Sequence, residues 1–388
     1  MTQVVSARRN DIDWLRIFAT YLLFVFSTAK VFDSMPFYHI KNSELSSSLS
    51  YVTFFLYQWH LPLFFLLAGW SRKTSLQARP GMESLKERML RLVIPFITGC
   101  ILICPLIKYV ELLGGQSMGF YGYERTGGPV GKSFAAFLPD FFTRLDMFSW
   151  AHLWFLVYLF LFTLLSWPFF TWLLKRKVMP LKTDGTLVYL PLVPLSLIQF
   201  TMSERWPDSK ALFNDWTNVL YFFLYFVLGF VISRYSAYER AIHNEYRRAG
   251  MLGAGLFILL ALFASELSMP SIRMVAAAGG WCIVVWLLGF ARAHLEQVTQ
   301  GISYLRESSL PVYLLHPIPV VLLGFFLIGP ACAGITAKFF SLLVLSVVST
   351  MAVYHVLIRR IPALRWFFGI KPEQKPGESW KNQATNRG

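Results

Sequence analysis

Long apolar runs recur along the whole chain, and this feature limits the possible folds more than any other. A run of about 20 apolar residues is long enough to cross the hydrocarbon core of a bilayer as a helix. Because the runs do not alternate between polar and apolar residues, they do not fit a transmembrane β-barrel. The sequence therefore predicts an all-α polytopic membrane protein with about ten transmembrane helices. The runs lie near residues 13–32, 51–71, 92–112, 152–174, 186–201, 217–233, 249–265, 273–291, 309–329 and 336–357.

The fifth run is the weakest because it is short and contains Pro191 and Pro194. Proline removes a backbone donor, so this segment is expected to kink or to form a packed half-span. A count of nine or eleven spans therefore stays open. Composition agrees with the membrane class, since 55% of the 388 residues are hydrophobic and 15% are charged. These fractions exclude intrinsic disorder and an ordinary cytosolic enzyme.

The basic residues that give the chain its net charge of +15 are unevenly distributed between the connecting segments. About 25 of them fall in alternate connecting segments and the C-terminal tail, against about 8 in the other segments, which is the positive-inside pattern. It predicts that both termini are cytoplasmic, and it requires no nucleic-acid partner. The first run contains Asp13 and Arg16 and lacks a cleavage site, so it is expected to be a retained helix. We expect a multi-pass protein in the lipid bilayer of the cytoplasmic, or inner, membrane.

We predict one transmembrane domain over residues 1–357 and a cytoplasmic, disordered tail over residues 358–388. A basic loop, 72–91, and a glycine-rich loop, 113–151, are expected on opposite sides of the membrane. The four cysteines show no spacing that is typical of metal sites or disulfides. We therefore predict no metal.

Ionisable residues inside a bilayer are costly, so those within the runs indicate functional positions. Asp13 and Arg16 are three residues apart and can pair on one face of the first helix. Ser27 follows Arg16 by eleven residues, about three turns and roughly 16 Å, which places it halfway through the core. A simpler role for Ser27 is a hydrogen bond to the preceding turn of its own helix.

Two histidines are expected at a similar depth, His60 from the outer side and His316 from the inner side. Each can be a neutral core histidine that bonds a backbone carbonyl, but together with Arg16 they predict a polar cavity near the midplane. His152 and Trp154 are expected at the outer mouth of the fourth run. An interfacial anchor fits His152 equally well.

Basic residues concentrate before the third run, where Arg88 and Arg91 lie close to Arg72 and Lys73. Guanidinium groups bind phosphate oxygens in pairs, so this group predicts a docking site for a phosphorylated cytosolic donor. The same residues also fit a simpler role in setting topology or in attracting anionic lipid. From the residues alone, both interpretations stay open.

Five motifs occur in order along the chain. They are Asp13-Trp14-Leu15-Arg16, the run from His60 to Gly69, Arg88-x-x-Arg91, His152-Leu153-Trp154-Phe155-Leu156 and Leu310-Pro311-Val312-Tyr313-Leu314-Leu315-His316-Pro317. Together they resemble the acyltransferase-3 family of integral membrane acyltransferases, in particular its branch that contains a periplasmic glucan succinyltransferase. The resemblance implies a ten-helix inner-membrane enzyme. Such an enzyme transfers an acetyl- or succinyl-class acyl group from cytosolic acyl-CoA to a hydroxyl of an extracytoplasmic carbohydrate.

The resemblance also implies roles for single residues. In that family the first helix carries an arginine and, after ten further residues, a histidine regarded as catalytic, while the Arg-x-x-Arg pair is associated with acyl-CoA. Arg16, Arg88 and Arg91 match these positions. The position of the histidine holds Ser27 instead.

Three interpretations of this difference stay open. The chain can be an impaired acyltransferase scaffold, because an unassisted serine hydroxyl is a poor base and a poor nucleophile at neutral pH. Alternatively, His60 or His316 supplies the general base. In the third interpretation, Ser27 is a nucleophile that one of these histidines activates. The candidate catalytic residues are therefore Ser27, Arg16, His60, His316 and Asp13.

Two other functions fit ten helices with polar groups near the midplane. One is a transporter or flippase of a lipid-linked sugar or an acyl donor, although no inverted repeat is detectable. The other is a non-catalytic membrane sensor on the same scaffold. No motif indicates the acyl group, the acceptor glycan or the oligomeric state.

Overall fold

The computed structural model of the protein describes residues 9–35, 38–78, 81–115, 131–177, 185–297, 300–328 and 334–370. Within these ranges the regular elements are helical and no strand occurs. The α-helices of the described ranges are α1 (Asn10–Phe32), α2 (Ser47–Ala78), α3 (Met82–Leu102), α4 (Cys104–Leu113), α5 (Phe134–Thr143), α6 (Trp154–Lys175), α7 (Leu192–Met202), α8 (Trp216–Arg234), α9 (Ser236–Phe263), α10 (Met269–His294), α11 (Gln300–Leu315), α12 (Pro317–Ile328), α13 (Ile335–Val353) and α14 (Pro362–Phe367). Short 3₁₀ turns lie at Ala151–Leu153, Gly185–Tyr189 and Ala264–Glu266, and a π-helical turn at Tyr354–Ile358.

The number of spans agrees with the sequence. Nine helical segments of the described part are long and apolar enough to cross a membrane, and α11 with α12 adds a tenth if the bent pair counts as one span. The fold class, an all-α polytopic membrane protein, is thereby confirmed. The fifth span, Gly185–Met202, is broken as expected: a 3₁₀ turn ends at Tyr189 and α7 begins at Leu192, on either side of Pro191.

The ninth predicted span, 309–329, is not the single helix that its apolar run predicted. Helix α11 ends at Leu315 and α12 begins at Pro317, and the two axes differ by 52°. Pro317 has no backbone N–H to continue the helical ladder, which accounts for a break at this point. His316 therefore occupies the break itself.

The predicted basic loop, 72–91, is mostly helical, so that prediction was wrong in its boundaries. Helix α2 continues to Ala78 and α3 begins at Met82, so few residues connect them. Gly81 has φ +85°, a left-handed conformation that glycine adopts without strain. Because α2 extends this far, Arg72 lies on the helix and is buried. We call this end of the bundle the basic end.

Helix α2 is central and packs against α1, α8 and α10. Its approach to α8 depends on two glycines. A Cβ on Gly69 would lie 1.8 Å from the carbonyl oxygen of Phe226, and one on Gly229 would lie 1.9 Å from that of Leu66. Small residues at such crossings let helix backbones touch, which is how transmembrane helices gain packing energy. Helix α1 contacts α2, α10, α11, α12 and α13, so it runs through the interior of the bundle.

The connecting segments are described only in part. In the long loop, α5 is a short apolar helix, whereas the predicted glycine-rich stretch 116–130 lies outside the described residues. Residues 362–367 of the predicted tail form α14, and residues 371–388 also lie outside the described residues. Large apolar side chains such as Ile258, Leu262 and Phe340 are exposed on outward faces, as expected of surfaces that contact lipid.

Candidate active site

The polar residues of α1 belong to two layers of the bundle. Arg16 and Ser27 are eleven residues apart, which corresponds to a rise of about 16 Å. Near Arg16, the arginines of α1, α2 and α3 form what we call the arginine cluster, which consists of Arg16, Arg72 and Arg88. On the same helix, the rings of Phe24 and Phe26 lie 5.9 Å from His316 and 6.3 Å from His60, and we group Ser27 with these histidines and His152 as the histidine centre. It consists of Ser27, His60, His152 and His316.

Arg72 is the most unusual residue of the arginine cluster. Its side chain is 1% exposed, and all three guanidinium nitrogens lack a hydrogen-bond partner among the described residues. The Nε of Arg88 is also buried and without such a partner. Arg88 is within electrostatic range of Arg72, Arg16 and Arg91, so like charges accumulate here. A buried, unpaired charge is strongly destabilising, and an anionic ligand would remove the cost.

Arg16 joins this cluster through α2. Its guanidinium donates to Asp13 Oδ1 at 3.1 Å and to Ser71 Oγ at 2.8 Å, one residue before Arg72. The predicted pairing of Asp13 with Arg16 is therefore present, and Arg306 also donates to Asp13 at 3.4 Å. Arg16 is thus held towards the basic end, and the cavity that would unite it with the histidines stays a prediction.

Two of the predicted donor-binding residues stand apart from Arg72. Arg91 pairs with Glu87, one turn earlier on α3. The Nζ of Lys73 donates to the backbone carbonyl of Ser233 at 2.5 Å, which ties α2 to the end of α8. The structure therefore brings Arg72, Arg88 and Arg16 together and draws Lys73 away from them.

Each histidine of the histidine centre bonds a backbone carbonyl through one ring nitrogen. The contacts are His60 Nε2 to Ala19 at 2.6 Å, His316 Nδ1 to Tyr313 at 2.8 Å and His152 Nε2 to Leu314 at 3.1 Å. A carbonyl only accepts, so the contacting nitrogen carries the hydrogen and the other nitrogen has a lone pair. In His60 and His152 that second nitrogen, Nδ1, is buried without a partner among the described residues.

The histidines converge as the sequence predicted. The rings of His152 and His316 are 5.5 Å apart, and His316 is within electrostatic range of His60. The ring of His152 bonds the α11 backbone, and Tyr313 Oη donates to the carbonyl oxygen of His152 at 2.7 Å; its role as an interfacial anchor stays a prediction. Ala151, which precedes it, has φ +44°, a conformation that costs energy outside glycine.

Ser27 is buried in this centre, and its hydroxyl lies beside that of Tyr38. The Tyr38 hydroxyl forms no well-aligned hydrogen bond with any described group. Burial raises the pKa of Tyr38 above its ordinary value, so the phenol stays protonated. Thr28, the next residue of α1, also has a buried hydroxyl without a partner among the described residues. Unfilled hydrogen-bonding groups therefore surround the position at which the resemblance expects a histidine.

A buried ion group that was not predicted from the sequence lies beside the histidine centre. Glu111 Oε2 contacts His39 Nδ1 at 2.6 Å, and Glu111 Oε1 accepts from Lys108 Nζ at 2.6 Å. Glu111 is 0% exposed and Lys108 1%. His39 is within electrostatic range of His152, which connects the group to the centre. The signal was present in the sequence, since Lys108 and Glu111 are ionisable residues three apart within the third apolar run.

Trp154, which was predicted at the outer mouth, is buried. Its ring stacks on Phe222 with centroids 5.9 Å apart, because the start of α6 packs against α8. One turn further along α6, Tyr158 Oη donates to Asp215 Oδ2 at 2.5 Å. Burial, and secondarily the charge of Asp208, raise the pKa of Asp215 to about 7.

No cluster of three or more metal-ligating side chains occurs within the described ranges.

Comparisons with known proteins place these features in context. The sequence profile of a family described as an acyltransferase domain matches residues 9–356. The chain is 23% identical over 398 residues to Glucans biosynthesis protein C of Shigella dysenteriae serotype 1, with 97% of this chain and 98% of that protein covered. Proteins of the same name from Salmonella paratyphi B and Salmonella enteritidis are 23% identical over 401 residues, with the same coverage. No solved structure matches the chain.

Proposed function

Since the chain belongs to the acyltransferase family whose profile spans residues 9–356, we propose that it transfers an acyl group from cytosolic acyl-CoA to a hydroxyl of an extracytoplasmic glycan. The family resemblance of the five motifs is confirmed by the match, and the protein is a multi-pass membrane acyltransferase. The proposal adds the donor, the acceptor and the cytoplasmic membrane as the location. It requires no nucleic acid and no metal.

The observation that carries the proposal is the buried guanidinium of Arg72. With three unpartnered nitrogens and a second unpartnered nitrogen on Arg88, the arginine cluster has the donors that a phosphate group accepts from. Coenzyme A carries several phosphates, and their charge would compensate the like charges of Arg16, Arg72 and Arg88. The basic end of the bundle is the end predicted to be cytoplasmic, where acyl-CoA is found.

Helix α1 connects the donor site to the histidine centre. From Arg16 to Ser27 the rise is about 16 Å, and the long pantetheine arm of CoA is suited to span such a distance. A CoA bound by its phosphates at the basic end would thus present its thioester near Ser27. Asp13 and Ser71 hold Arg16 in place for that arrangement.

The chemistry at the histidine centre requires a group that takes the proton of the acceptor hydroxyl. Neutral imidazoles with a lone pair can do this, whereas Ser27 has no base hydrogen-bonded to it among the described residues. We therefore favour a histidine as the base and direct transfer from the thioester to the acceptor. The name of the Shigella relative supports a glucan as the acceptor, and acetyl and succinyl groups are the proposed acyl classes.

The test uses the full chain purified into lipid nanodiscs, with acetyl-CoA or succinyl-CoA as the donor and glucan oligosaccharides as the acceptor. We expect release of free CoA thiol and, by mass spectrometry, an equal amount of ester on the glucan. Movement of sugar or acyl-CoA across vesicles without ester formation would contradict the proposal and favour a transporter. Binding of acyl-CoA without any turnover would contradict its catalytic part.

A further inference from the structure

The buried ion group of His39, Lys108 and Glu111 adjoins the histidine centre but takes no part in the arrangement above. We infer that His39, oriented by Glu111, is the general base that accepts the proton of the acceptor hydroxyl. This inference rests on the proposed function and names the residue that performs its proton transfer. It also explains how a chain with serine at position 27 can keep a base at the reacting centre.

His39 differs from the other histidines in the partner of its bonded nitrogen. Its Nδ1 lies 2.6 Å from a carboxylate oxygen of Glu111, whereas His60, His152 and His316 bond backbone carbonyls. The carboxylate accepts the Nδ1 hydrogen, so the lone pair is on Nε2, to which no described group is hydrogen-bonded. A carboxylate also stabilises the imidazolium that forms when Nε2 takes a proton, and a carbonyl dipole does so less.

Lys108 keeps the carboxylate ready for that role. The ammonium group contacts one oxygen of Glu111 at 2.6 Å, and His39 contacts the other. Both Lys108 and Glu111 are almost completely buried, and a buried carboxylate is retained in ionised form only when it is paired in this way. The negative charge therefore already faces the imidazole before the substrate arrives.

The surroundings of His39 place it at the reacting centre. Tyr38, its neighbour in sequence, lies beside the hydroxyl of Ser27, and His152 lies within electrostatic range on the other side. The titratable groups that face His39 are thus Glu111 and Lys108 on α4, Tyr38 on its own segment and His152 at the start of α6. His39 approaches from the end of the bundle opposite the arginine cluster, where an extracytoplasmic acceptor would enter.

The proposed reaction transfers one acyl group from sulfur to oxygen and one proton from the acceptor to the leaving thiolate. His39 Nε2 takes the hydroxyl proton while the acceptor oxygen forms a bond to the carbonyl carbon of the thioester. The C–S bond breaks, and its electron pair leaves on sulfur. The imidazolium then gives its proton to the thiolate, so that the products are the ester and free CoA thiol.

The experiment compares His39→Gln with His243→Gln in the nanodisc assay, with acetyl-CoA and glucan oligosaccharides. His243 is an exposed histidine on α9, outside both groups, and is the matched control. His39→Gln keeps the pair between Lys108 and Glu111, so we expect it to fold with an unchanged Tm. Its kcat should fall by about 10²- to 10⁴-fold, the usual cost of a lost general base, while the KM for acetyl-CoA stays within twofold.

A second pair of variants tests the orienting role of Glu111. Glu111→Asp should retain at least about a tenth of the kcat of the unaltered chain, whereas the double variant Lys108→Met with Glu111→Gln, which removes both charges of the pair, should not. If His39→Gln keeps kcat within threefold of the unaltered chain, the assignment of His39 is overturned while the proposed function stands. If the unaltered chain itself forms no ester, the proposed function falls and this assignment falls with it.

Discussion

The arginine cluster and the histidine centre lie along the same helix but satisfy their polar groups differently. In the arginine cluster, Arg72 is buried with a full charge and no partner among the described residues. In the histidine centre, His60, His152 and His316 are neutral rings that each use one nitrogen on a backbone carbonyl. An unpaired charge in a low-dielectric interior calls for a ligand of opposite charge, whereas a half-satisfied neutral ring is stable without one.

This difference indicates that the two regions have separate roles in the reaction. Binding energy for the donor should come from the arginine cluster, and proton transfer should occur at the histidine centre together with His39 beside it. Substitutions in the two regions should therefore change different kinetic parameters, KM or Kd for the donor in one case and kcat in the other. Five further substitutions, one of them a control, test that separation.

Arg72→Met should have the largest effect. It removes about two charge-assisted hydrogen bonds to phosphate, so the Kd for acyl-CoA should rise by roughly 10²- to 10³-fold. Without donor, the same substitution should raise the Tm, because it also removes a buried unpaired charge. Isothermal titration calorimetry and a thermal melt in nanodiscs measure the two effects.

Arg240→Met is the matched control for Arg72→Met. Arg240 is exposed at the start of α9, and its guanidinium contacts only the hydroxyl of Ser236 among the described groups. Its replacement should leave the Kd within twofold. Equal losses of donor affinity in the two variants would mean that general positive charge, and not the buried cluster, attracts the donor.

His316→Gln should reduce kcat by about tenfold, the cost of one lost hydrogen bond between its open nitrogen and the reacting groups. The KM for acyl-CoA should not change, because His316 lies in the histidine centre. Steady-state kinetics with glucan oligosaccharides measure both values. A higher KM at constant kcat would show that the two regions are not separate.

Ser27→Ala should keep kcat within about threefold, because the account gives the proton to a histidine and uses no acyl-serine. Intact-protein mass spectrometry after incubation with acetyl-CoA should detect no acylated chain. Stoichiometric acylation that Ser27→Ala abolishes would establish the serine as a nucleophile and contradict the account.

The smallest effect concerns stability at the end opposite the arginine cluster. The pKa of Asp215 is about 7 in the folded protein, against about 3.9 for an unfolded aspartate. The folded state thus binds the extra proton, and this stabilisation is fully present below pH 4 and is lost as the pH rises through 7. Asp208, Tyr158, Lys210 and Asn218 face this carboxyl.

We expect the Tm of the unaltered chain to fall by about 2–4 °C more than that of Asp215→Asn between pH 5 and pH 8. The Kd for acyl-CoA should be the same in both chains, since Asp215 is remote from the arginine cluster. If the Tm of the unaltered chain instead rises relative to that of Asp215→Asn between pH 5 and pH 8, the sign is reversed and the protonated state of Asp215 is contradicted.

Much of the fold and part of the site could be predicted from the sequence. Apolar runs identified the spans because helix length must match bilayer thickness, and the pair of Asp13 and Arg16 followed from helical spacing. The convergence of His60 and His316 followed from their depth along each run. Such inferences need only distances along one helix.

Features that depend on packing between helices could not be read in this way. Arg72 is buried because α2 continues past the predicted end of its span. The basic residues that follow the apolar run had predicted a loop at this position. His39 lies outside the runs, and its contact with Glu111 joins segments 72 residues apart in sequence. The inward turn of His152 depends on backbone partners on α11, which periodicity does not reveal.

Binding of the donor phosphates by the arginine cluster is tested most directly by a cryo-electron microscopy map of the chain in nanodiscs with a non-reactive thioether analogue of acetyl-CoA. We expect density for the phosphates between Arg72 and Arg88 and density for the pantetheine arm along α1 towards Ser27. Density for the analogue elsewhere, with the Arg72 guanidinium still unpartnered, would contradict this expectation.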